Sequence, residues 1–345
     1  MTTTLYNLTF EEQQTGVITT EKLARIVSDI SSHGFAVVTG LISPESCELL
    51  MASATEDVKA VRGLGKPTMH ERRTGQGHLQ LGLRRYAPYA RQDLIANPLI
   101  EHVVSGVLGS AAWLGFYNGN VNLPGSGFQP LHFDRPFSWK SEAAAAEDDQ
   151  TWPPPTTTLS CSVALTDITK DNGATEIYPG THHETAVIGW PPEERISDHP
   201  ELMEQWGPPA RMEIPAGAIC FRDPRMWHRG VPNESNQVRP MIALTYHSAL
   251  CKHWRGRLVR KLSEQDRSAC ESDPAVRLMD DRSLGDGRLV FEDDTRGVFD
   301  SPDLHNIQRN VKFITPPKHV NHFVDAHLPG GARVIESSNR LPDVM

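Results

Sequence analysis

The chain is poor in cysteine and has no long apolar run. Its five cysteines in 345 residues are scattered, and no two of them form a C-x-x-C pair. This pattern favours reduced thiols over a disulfide framework. No run approaches the roughly 20 apolar residues that a membrane span needs, and residues 1–16 lack the basic and apolar regions of a signal peptide. We therefore expect a cytoplasmic protein.

Positive charge is the minority sign. The chain has 34 Lys and Arg against 43 Asp and Glu, which gives a formal net charge of -9. An acidic balance argues against a general surface for nucleic acid or anionic membranes. The expected partner is therefore a small-molecule substrate, and the sequence leaves a homodimer open.

Predicted helices precede predicted strands along the chain. Apolar residues at i, i+3, i+4 and i+7 predict a helix over 20–32, whereas short β-type runs begin at about residue 111. In 158–166, apolar side chains alternate with small, mostly polar ones, so that one face can pack on a core and the other can line a cavity. Helices followed by many strands predict an α+β chain with a β-sandwich or jelly-roll core.

The same pattern predicts one main domain over 1–254, with a helical N-terminal part and a β core at about 111–250. Residues 255–345 are polar with few periodic apolar runs, and we expect them to form a C-terminal extension packed on that domain. Residues 138–157 form a long connection between predicted strands. A connection of this length is usually a functional lid or disordered, and the sequence leaves both readings open.

One constellation of residues carries chemical information. His132 and Asp134 form an H-x-D segment, His228 follows Asp134 by 94 residues, and Arg239 follows His228 by 11. Two imidazoles and one carboxylate are the ligands of the facial triad that holds a non-heme Fe(II) and leaves positions open. At i and i+2 of an extended strand, His132 and Asp134 point the same way. His228 must then come from a strand alongside.

The arginine in this constellation suits a dicarboxylate co-substrate. An Fe(II) held by a facial triad can accept a 2-oxo acid in its open positions and still bind dioxygen. The distal carboxylate of 2-oxoglutarate then needs a cation about one ligand length away, and Arg239 offers a bidentate, always charged partner. The joint spacing predicts an oxygenase that uses Fe(II), 2-oxoglutarate and O2.

Further segments accompany this constellation. They are G-F-A-V-V at 34–38, N-G-A-T-E-I-Y-P-G-T-H at 172–182, and R-P at 239–240. With them, the chain resembles the phytanoyl-CoA dioxygenase (PhyH-like) family of Fe(II)/2-oxoglutarate-dependent oxygenases over roughly residues 33–250. The resemblance implies a mainly β protein with flanking helices and a double-stranded β-helix (jelly-roll, cupin-like) core. It also implies that His132, Asp134 and His228 bind iron and that Arg239 binds 2-oxoglutarate.

Other residues are candidates for the co-substrate and substrate sites. Asn120 and Gln129 can hydrogen-bond the 2-oxoglutarate carboxylate, and Thr245 shares a face with Arg239 if their strand is regular. Each has an ordinary alternative, such as an amide near a turn or a residue packed in a strand. A carboxylated substrate would need a cation, and an aromatic residue can form a pocket rim. The candidate substrate contacts are Arg84, Tyr86 and Phe137.

The resemblance implies oxidation of an unactivated C–H bond of a small molecule. We expect a substrate of specialised, natural-product metabolism, with hydroxylation, desaturation and ring formation all open as outcomes. The first alternative is an acyl-CoA hydroxylase of the same family. The others are a zinc-dependent hydrolase or lyase built on the same three ligands, and a jelly-roll binding protein without catalysis.

Overall fold

A computed structural model of the protein describes residues 4–63, 65, 71, 74–82, 88–89, 91–95, 97–110, 112–191, 194–248, 258–260, 289–291 and 333–334. The helices α1 to α7 are Phe10–Thr15, Thr20–His33, Pro44–Arg62, Gln92–Ile95, Pro98–Leu108, Glu142–Glu147 and Pro200–Trp206. Three short 3₁₀ turns are Thr181–His183, Thr185–Val187 and Ile196–Asp198. The strands β1 to β13 are Leu5–Asn7, Phe35–Thr39, His78–Gly82, Trp113–Asn122, Thr158–Ala164, Glu176–Ile177, Ala210–Arg211, Ile219–Arg222, His228–Arg229, Arg239–His247, Leu258–Arg260, Leu289–Phe291 and Arg333–Val334.

The larger sheet has eight strands in the order β1-β2-β8-β5-β10-β4-β3-β13. Most neighbouring strands in this sheet are not consecutive in sequence, as when β10 pairs antiparallel with both β4 and β5. Alternation along each strand sends side chains to opposite faces. Val163 and Phe221 therefore face outward and pack under the N-terminal helices, where Ile26, Leu50 and Ile100 are buried.

Local sequence explains where these helices begin and end. Ser43 accepts a hydrogen bond from the Ser46 amide at the start of α3, and Pro44 occupies the first helical position, where its missing N–H costs nothing. Helix α2 ends at Gly34, whose φ of 86° is in the left-handed region that favours glycine. The helix predicted over 20–32 is confirmed, with its C-terminus one residue later.

The smaller sheet has three strands in the order β7-β6-β9. Its Ile177 packs with Val37, Ala164 and Cys220 from the inner face of the larger sheet, and Met212 joins the same buried cluster. Two sheets facing each other over a shared apolar layer, with helices covering the outside, form the predicted jelly roll. The fold class expected from the sequence is thereby confirmed.

Two predicted segments are only partly described. Of the C-terminal extension at 255–345, the structure describes three short strands, of which β13 pairs antiparallel with β3; the rest lies outside the described residues. The connection at 138–157 is described throughout and contains α6. Its cis Trp152–Pro153 bond is followed by Pro154, whose carbonyl accepts from the Arg225 guanidinium. In the described part of the chain, no helix is long and apolar enough to cross a membrane.

Candidate active site

Three side chains that can bind a metal meet between the two sheets. One ligand atom each from His132, Asp134 and His228 lie within 4.8 Å of one another. The Nε2 atoms of His132 and His228 are 3.7 and 3.3 Å from carboxylate oxygens of Asp134. The backbones of the two histidines form an antiparallel bridge, with the His228 amide donating to the His132 carbonyl at 2.8 Å. The tertiary structure thus brings together ligands that lie almost a hundred residues apart in the sequence.

Carbonyl groups fix the tautomer and direction of both imidazoles. The Nδ1 atom of His132 lies 2.7 Å from the Pro130 carbonyl oxygen, and that of His228 lies 2.9 Å from the Met226 carbonyl oxygen. Because a carbonyl can only accept, each Nδ1 must carry the hydrogen. In the neutral imidazole with its hydrogen on Nδ1, Nε2 has the lone pair, which is the tautomer that a metal ligand needs.

The expected strand around the H-x-D segment is wrong. His132 forms a single bridge, and Asp134 lies in a bend whose amide donates to the Pro224 carbonyl at 2.8 Å. Pro130 and Pro136 flank the segment, and proline cannot donate to a strand ladder. The two side chains converge because of these separate anchors instead of regular i, i+2 alternation.

Charges around the triad favour its metal-binding protonation states. Burial and the nearby Arg222 charge lower the pKa of His228 to about 4, so this imidazole is neutral at neutral pH. Burial alone would raise the pKa of Asp134, but the Arg222 guanidinium, 2.8 Å from the Asp134 carboxylate, holds the pKa of that carboxyl well below its usual range. Asp134 is therefore a carboxylate at all pH values where the protein is expected to work.

Sequence reasoning missed Arg222, the last residue of β8. Its Nη2 atom lies 2.8 Å from Asp134 Oδ2, and its Nη1 atom lies 3.2 Å from His228 Nδ1. The second contact is a close approach without a hydrogen bond, because His228 Nδ1 already carries a hydrogen for Met226. The available signal was a basic residue at the end of an otherwise apolar strand, six residues before His228.

A polar cavity of about 470 Å³ joins the triad to Arg239. Asn120 and Gln129, both expected near the co-substrate, line this cavity. The Gln129 Oε1 atom accepts from the Gly230 amide at 2.8 Å. Thr245 shares a face of β10 with Arg239 but does not line the cavity. Further polar residues that line it and that the sequence did not single out are Thr74, His78, Gln80, Thr175 and Arg222.

Arg239 is a buried cation without a carboxylate partner among the described residues. It is 3% exposed at the start of β10, and burial lowers its pKa to about 10, so it stays charged at neutral pH. Its Nη2 atom donates to the Gly173 carbonyl at 2.8 Å, and its Nε atom donates to the Asn172 carbonyl at 3.4 Å. The Nη1 hydrogens are left for a ligand. A desolvated arginine held in this way favours an anionic ligand.

A second cavity, of about 670 Å³, adjoins the first. The two cavities share His132, Phe133, Gln129 and Thr74, so they meet at a triad residue. Phe137, expected at the pocket rim, lines the larger cavity. Its other lining residues are mostly apolar and include Leu131, Val187, Ile188, Trp190 and Ile196.

Two other sequence predictions are not resolved by this geometry. Arg84 and Tyr86, expected as substrate contacts, lie outside the described residues. In the connection at 138–157, Lys140 lines the larger cavity, and the Ser138 and Thr157 hydroxyls lie 2.9 Å apart and tie the two ends together. Whether this connection acts as a lid stays a prediction.

The donor set fits iron. Two imidazoles and one carboxylate, all close together and beside an open polar cavity, match the ligand type and the open positions of a non-heme Fe(II) site. Catalytic zinc sites of hydrolases can use the same three ligand types, so the choice between the two metals rests on the family.

Comparison with known proteins identifies the family. The sequence profile of the phytanoyl-CoA dioxygenase (PhyH) family matches residues 30–241. Dioxygenase trt7 of Aspergillus terreus is 27% identical over 220 residues, which are 63% of this chain and 70% of that protein. Dioxygenase af480 of Aspergillus fumigatus is 26% identical over 182 residues, which are half of each chain.

Solved structures show similar but more distant likenesses. The non-heme alpha-ketoglutarate-dependent carbocyclase SnoK from nogalamycin biosynthesis has a TM-score of 0.49 and 18% identity, covering 67% of this chain and 85% of its own. The epimerase SnoN, in complex with Fe3+, alpha-ketoglutarate and nogalamycin RO, has a TM-score of 0.48 and 20% identity over the same shares. TM-scores below 0.5 are too low to establish a shared fold by themselves.

The family profile covers more than half of the chain and includes all three triad residues and Arg239. Membership of this family argues against both the zinc-dependent enzyme and the non-catalytic binding protein. The chain belongs to the phytanoyl-CoA dioxygenase (PhyH) family and is a non-heme iron dioxygenase that uses 2-oxoglutarate.

Proposed function

We propose that this dioxygenase oxidises an unactivated C–H bond of a small, largely apolar molecule of specialised metabolism. The oxidation is a hydroxylation or another two-electron change, such as desaturation or ring formation. The observation that carries the proposal is the meeting of a polar and an apolar cavity at His132.

His132, Asp134 and His228 would hold the iron. When bound, the iron would let dioxygen oxidatively decarboxylate 2-oxoglutarate and would couple this reaction to oxidation of the substrate. The chain supplies two imidazoles whose Nδ1 atoms face the Pro130 and Met226 carbonyls, and a carboxylate that stays ionised. A divalent cation requires a free Nε2 lone pair and an ionised carboxylate of such ligands.

Arg239 would bind the distal carboxylate of 2-oxoglutarate. Its side chain is buried, charged and aimed into the 470 Å³ cavity that also contains the triad. The carbonyls of Asn172 and Gly173 accept hydrogen bonds from the guanidinium. The first two residues of the 172–182 segment thereby orient Arg239 for the co-substrate. Asn120 and Gln129 line the same cavity and offer further hydrogen bonds.

The substrate would occupy the 670 Å³ cavity next to His132. Phe137, Val187 and Trp190 line it, which favours a largely apolar molecule. Two cations, Lys140 and Arg195, line it in the described part of the chain. An acyl-CoA would need several cations for its phosphates, so this lining favours a compact natural product over the acyl-CoA alternative.

Succinate formation tests the proposal. We expect protein purified without oxygen, reconstituted with Fe(II) and exposed to air, to form succinate from 2-oxoglutarate, faster with a compound that fits the apolar cavity. The His132→Ala variant should lose this activity, whereas His33→Ala, at the exposed end of α2, should keep it. Unimpaired turnover by His132→Ala would refute the metal assignment. Acceleration by acyl-CoA substrates alone would refute the substrate class.

A further inference from the structure

We propose that Arg222 is a positioning residue that fixes the metal-binding orientation of Asp134. The inference rests on the proposed function, because it takes Asp134 as an iron ligand. Arg222 would hold the Oδ2 atom of Asp134, so that Oδ1 is presented to the ion. Arg222 itself would contact neither the iron nor the substrate.

The contacts of Asp134 support this role. Arg222 Nη2 lies 2.8 Å from Asp134 Oδ2, which is the shortest side-chain contact described for this carboxylate. His228 Nε2 lies 3.3 Å from the same oxygen, whereas His132 Nε2 lies 3.7 Å from Oδ1. The guanidinium therefore occupies one carboxylate oxygen and leaves the other to face His132.

Asp134 needs such a partner because its side chain, unlike its backbone, has little other support. Its amide is tied to the Pro224 carbonyl, but it lies in a bend and its side chain is 41% exposed. A carboxylate in this setting can rotate about χ2 with little resistance, since that torsion is broad. Such a rotation would present the other oxygen, or both oxygens, to the metal and would disturb the ligand geometry.

Arg222 is rigid enough to supply the constraint. Its side chain is 8% exposed, and its backbone sits in the larger sheet between Phe35 of β2 and Ser160 of β5. It reaches across to a ligand carried by a loop beside the smaller sheet. Through this contact, the orientation of Asp134 is set by a buried residue of the larger sheet.

The electrostatic effect of Arg222 has the opposite sign, which makes the proposal testable. A buried cation beside a metal site repels the metal, so removing its charge should tighten Fe(II) binding if charge were its whole effect. Loss of a positioning contact should instead weaken metal binding, by about 10- to 100-fold for a residue that orients a ligand.

The experiment measures metal affinity apart from turnover. The full-length protein and its Arg222→Met and Arg222→Lys variants are titrated anaerobically with Fe(II). They are also titrated with Co(II), whose visible absorption reports the coordination around the ion. Arg225→Lys is the matched control, because Arg225 is an equally buried arginine three residues further along the chain but pairs with Asp223, away from the triad. Melting temperatures are recorded for every protein.

We expect Arg222→Met to weaken binding of both metals about 10- to 100-fold and to change the Co(II) spectrum. Arg222→Lys, which keeps the charge but not the planar fork, should bind with intermediate affinity. Arg225→Lys should bind as the parent does. Equal or tighter binding by a folded Arg222→Met would overturn the proposal. If Arg222→Met does not fold, parent-like affinity and spectrum in Arg222→Lys would overturn it. Failure of the parent to bind Fe(II) would refute the metal assignment itself.

Discussion

Replacement of Arg239 by Met tests how the co-substrate is held. Methionine approximates the length of the arginine stem but removes the charge and all five donors. Arg239 is 3% exposed and contacts no carboxylate among the described residues, so the substitution leaves no buried anion behind. The carbonyls of Gly173 and Asn172 each lose one donor. The variant should therefore fold, and its main defect should be weaker binding of 2-oxoglutarate.

The size of the effect follows from the interactions lost. A hydrogen bond to a charged group contributes about 1.5–3 kcal/mol, and a bidentate arginine–carboxylate pair contains two of them. Allowing for water that replaces part of this interaction, we expect a loss of about 2–4 kcal/mol. Since about 1.4 kcal/mol corresponds to a factor of ten, the KM for 2-oxoglutarate should rise about 30- to 1000-fold.

Steady-state kinetics and equilibrium binding check this value. The KM for 2-oxoglutarate should rise while kcat at saturation changes little, because the lost interaction is made equally in the ground and transition states. Arg211→Met is the control, since Arg211 also donates to a backbone carbonyl, that of Ala174, but does not line the cavity. A KM within threefold of the parent value for Arg239→Met would show that another residue holds the distal carboxylate.

Two further predictions concern the support of Arg239 and the stability of the N-terminal part. At Gly173, where φ is +81° and an added Cβ would lie 2.3 Å from Asn122 Nδ2, Gly173→Ala should raise the KM for 2-oxoglutarate about tenfold by moving the carbonyl that holds Arg239. Gly207→Ala, also at a positive φ (+75°) but with no neighbour within 4 Å and away from Arg239, should leave the KM unchanged. Glu12 accepts hydrogen bonds from the Thr9 and Thr19 amides and from Lys22, and although burial opposes ionisation, these partners lower its pKa to about 2. Because the folded-state pKa lies below the unfolded one, Glu12→Gln should reduce the free energy of unfolding by about 1–3 kcal/mol at pH 7. In denaturant titrations, this difference should shrink between about pH 4.5 and pH 2, and a constant difference across that range would contradict the pKa assignment.

Several elements could be predicted because their signals are local. Helix α2 follows from the apolar periodicity over residues 20–32, and its end follows from the glycine at position 34. The alternation in β5 correctly predicted that Cys161 and Val163 pack on the core and that Ser162 faces the cavity. In each case, the residues that decide the structure lie within a few positions of one another.

The site residues also divide into those that local sequence features reveal and those that only the tertiary structure reveals. His132, Asp134, His228 and Arg239 could be found from residue type and spacing, because metal and carboxylate binding require particular donor groups. Arg222 could not be assigned a role in this way. Its contact with Asp134 spans 88 residues and depends on how β8 lies beside the loop that carries Asp134.

The sequence by itself determined the class of this protein: helices before strands, a donor set for iron, a cation for a dicarboxylate, and a family likeness. Only the tertiary structure decided how these groups work together. It placed Asp134 in a bend instead of a strand, turned both imidazoles with backbone carbonyls, and joined a polar and an apolar cavity at His132. The physical reason is that donor chemistry is a property of single residues, whereas cavity shape and ligand orientation arise from packing between distant segments.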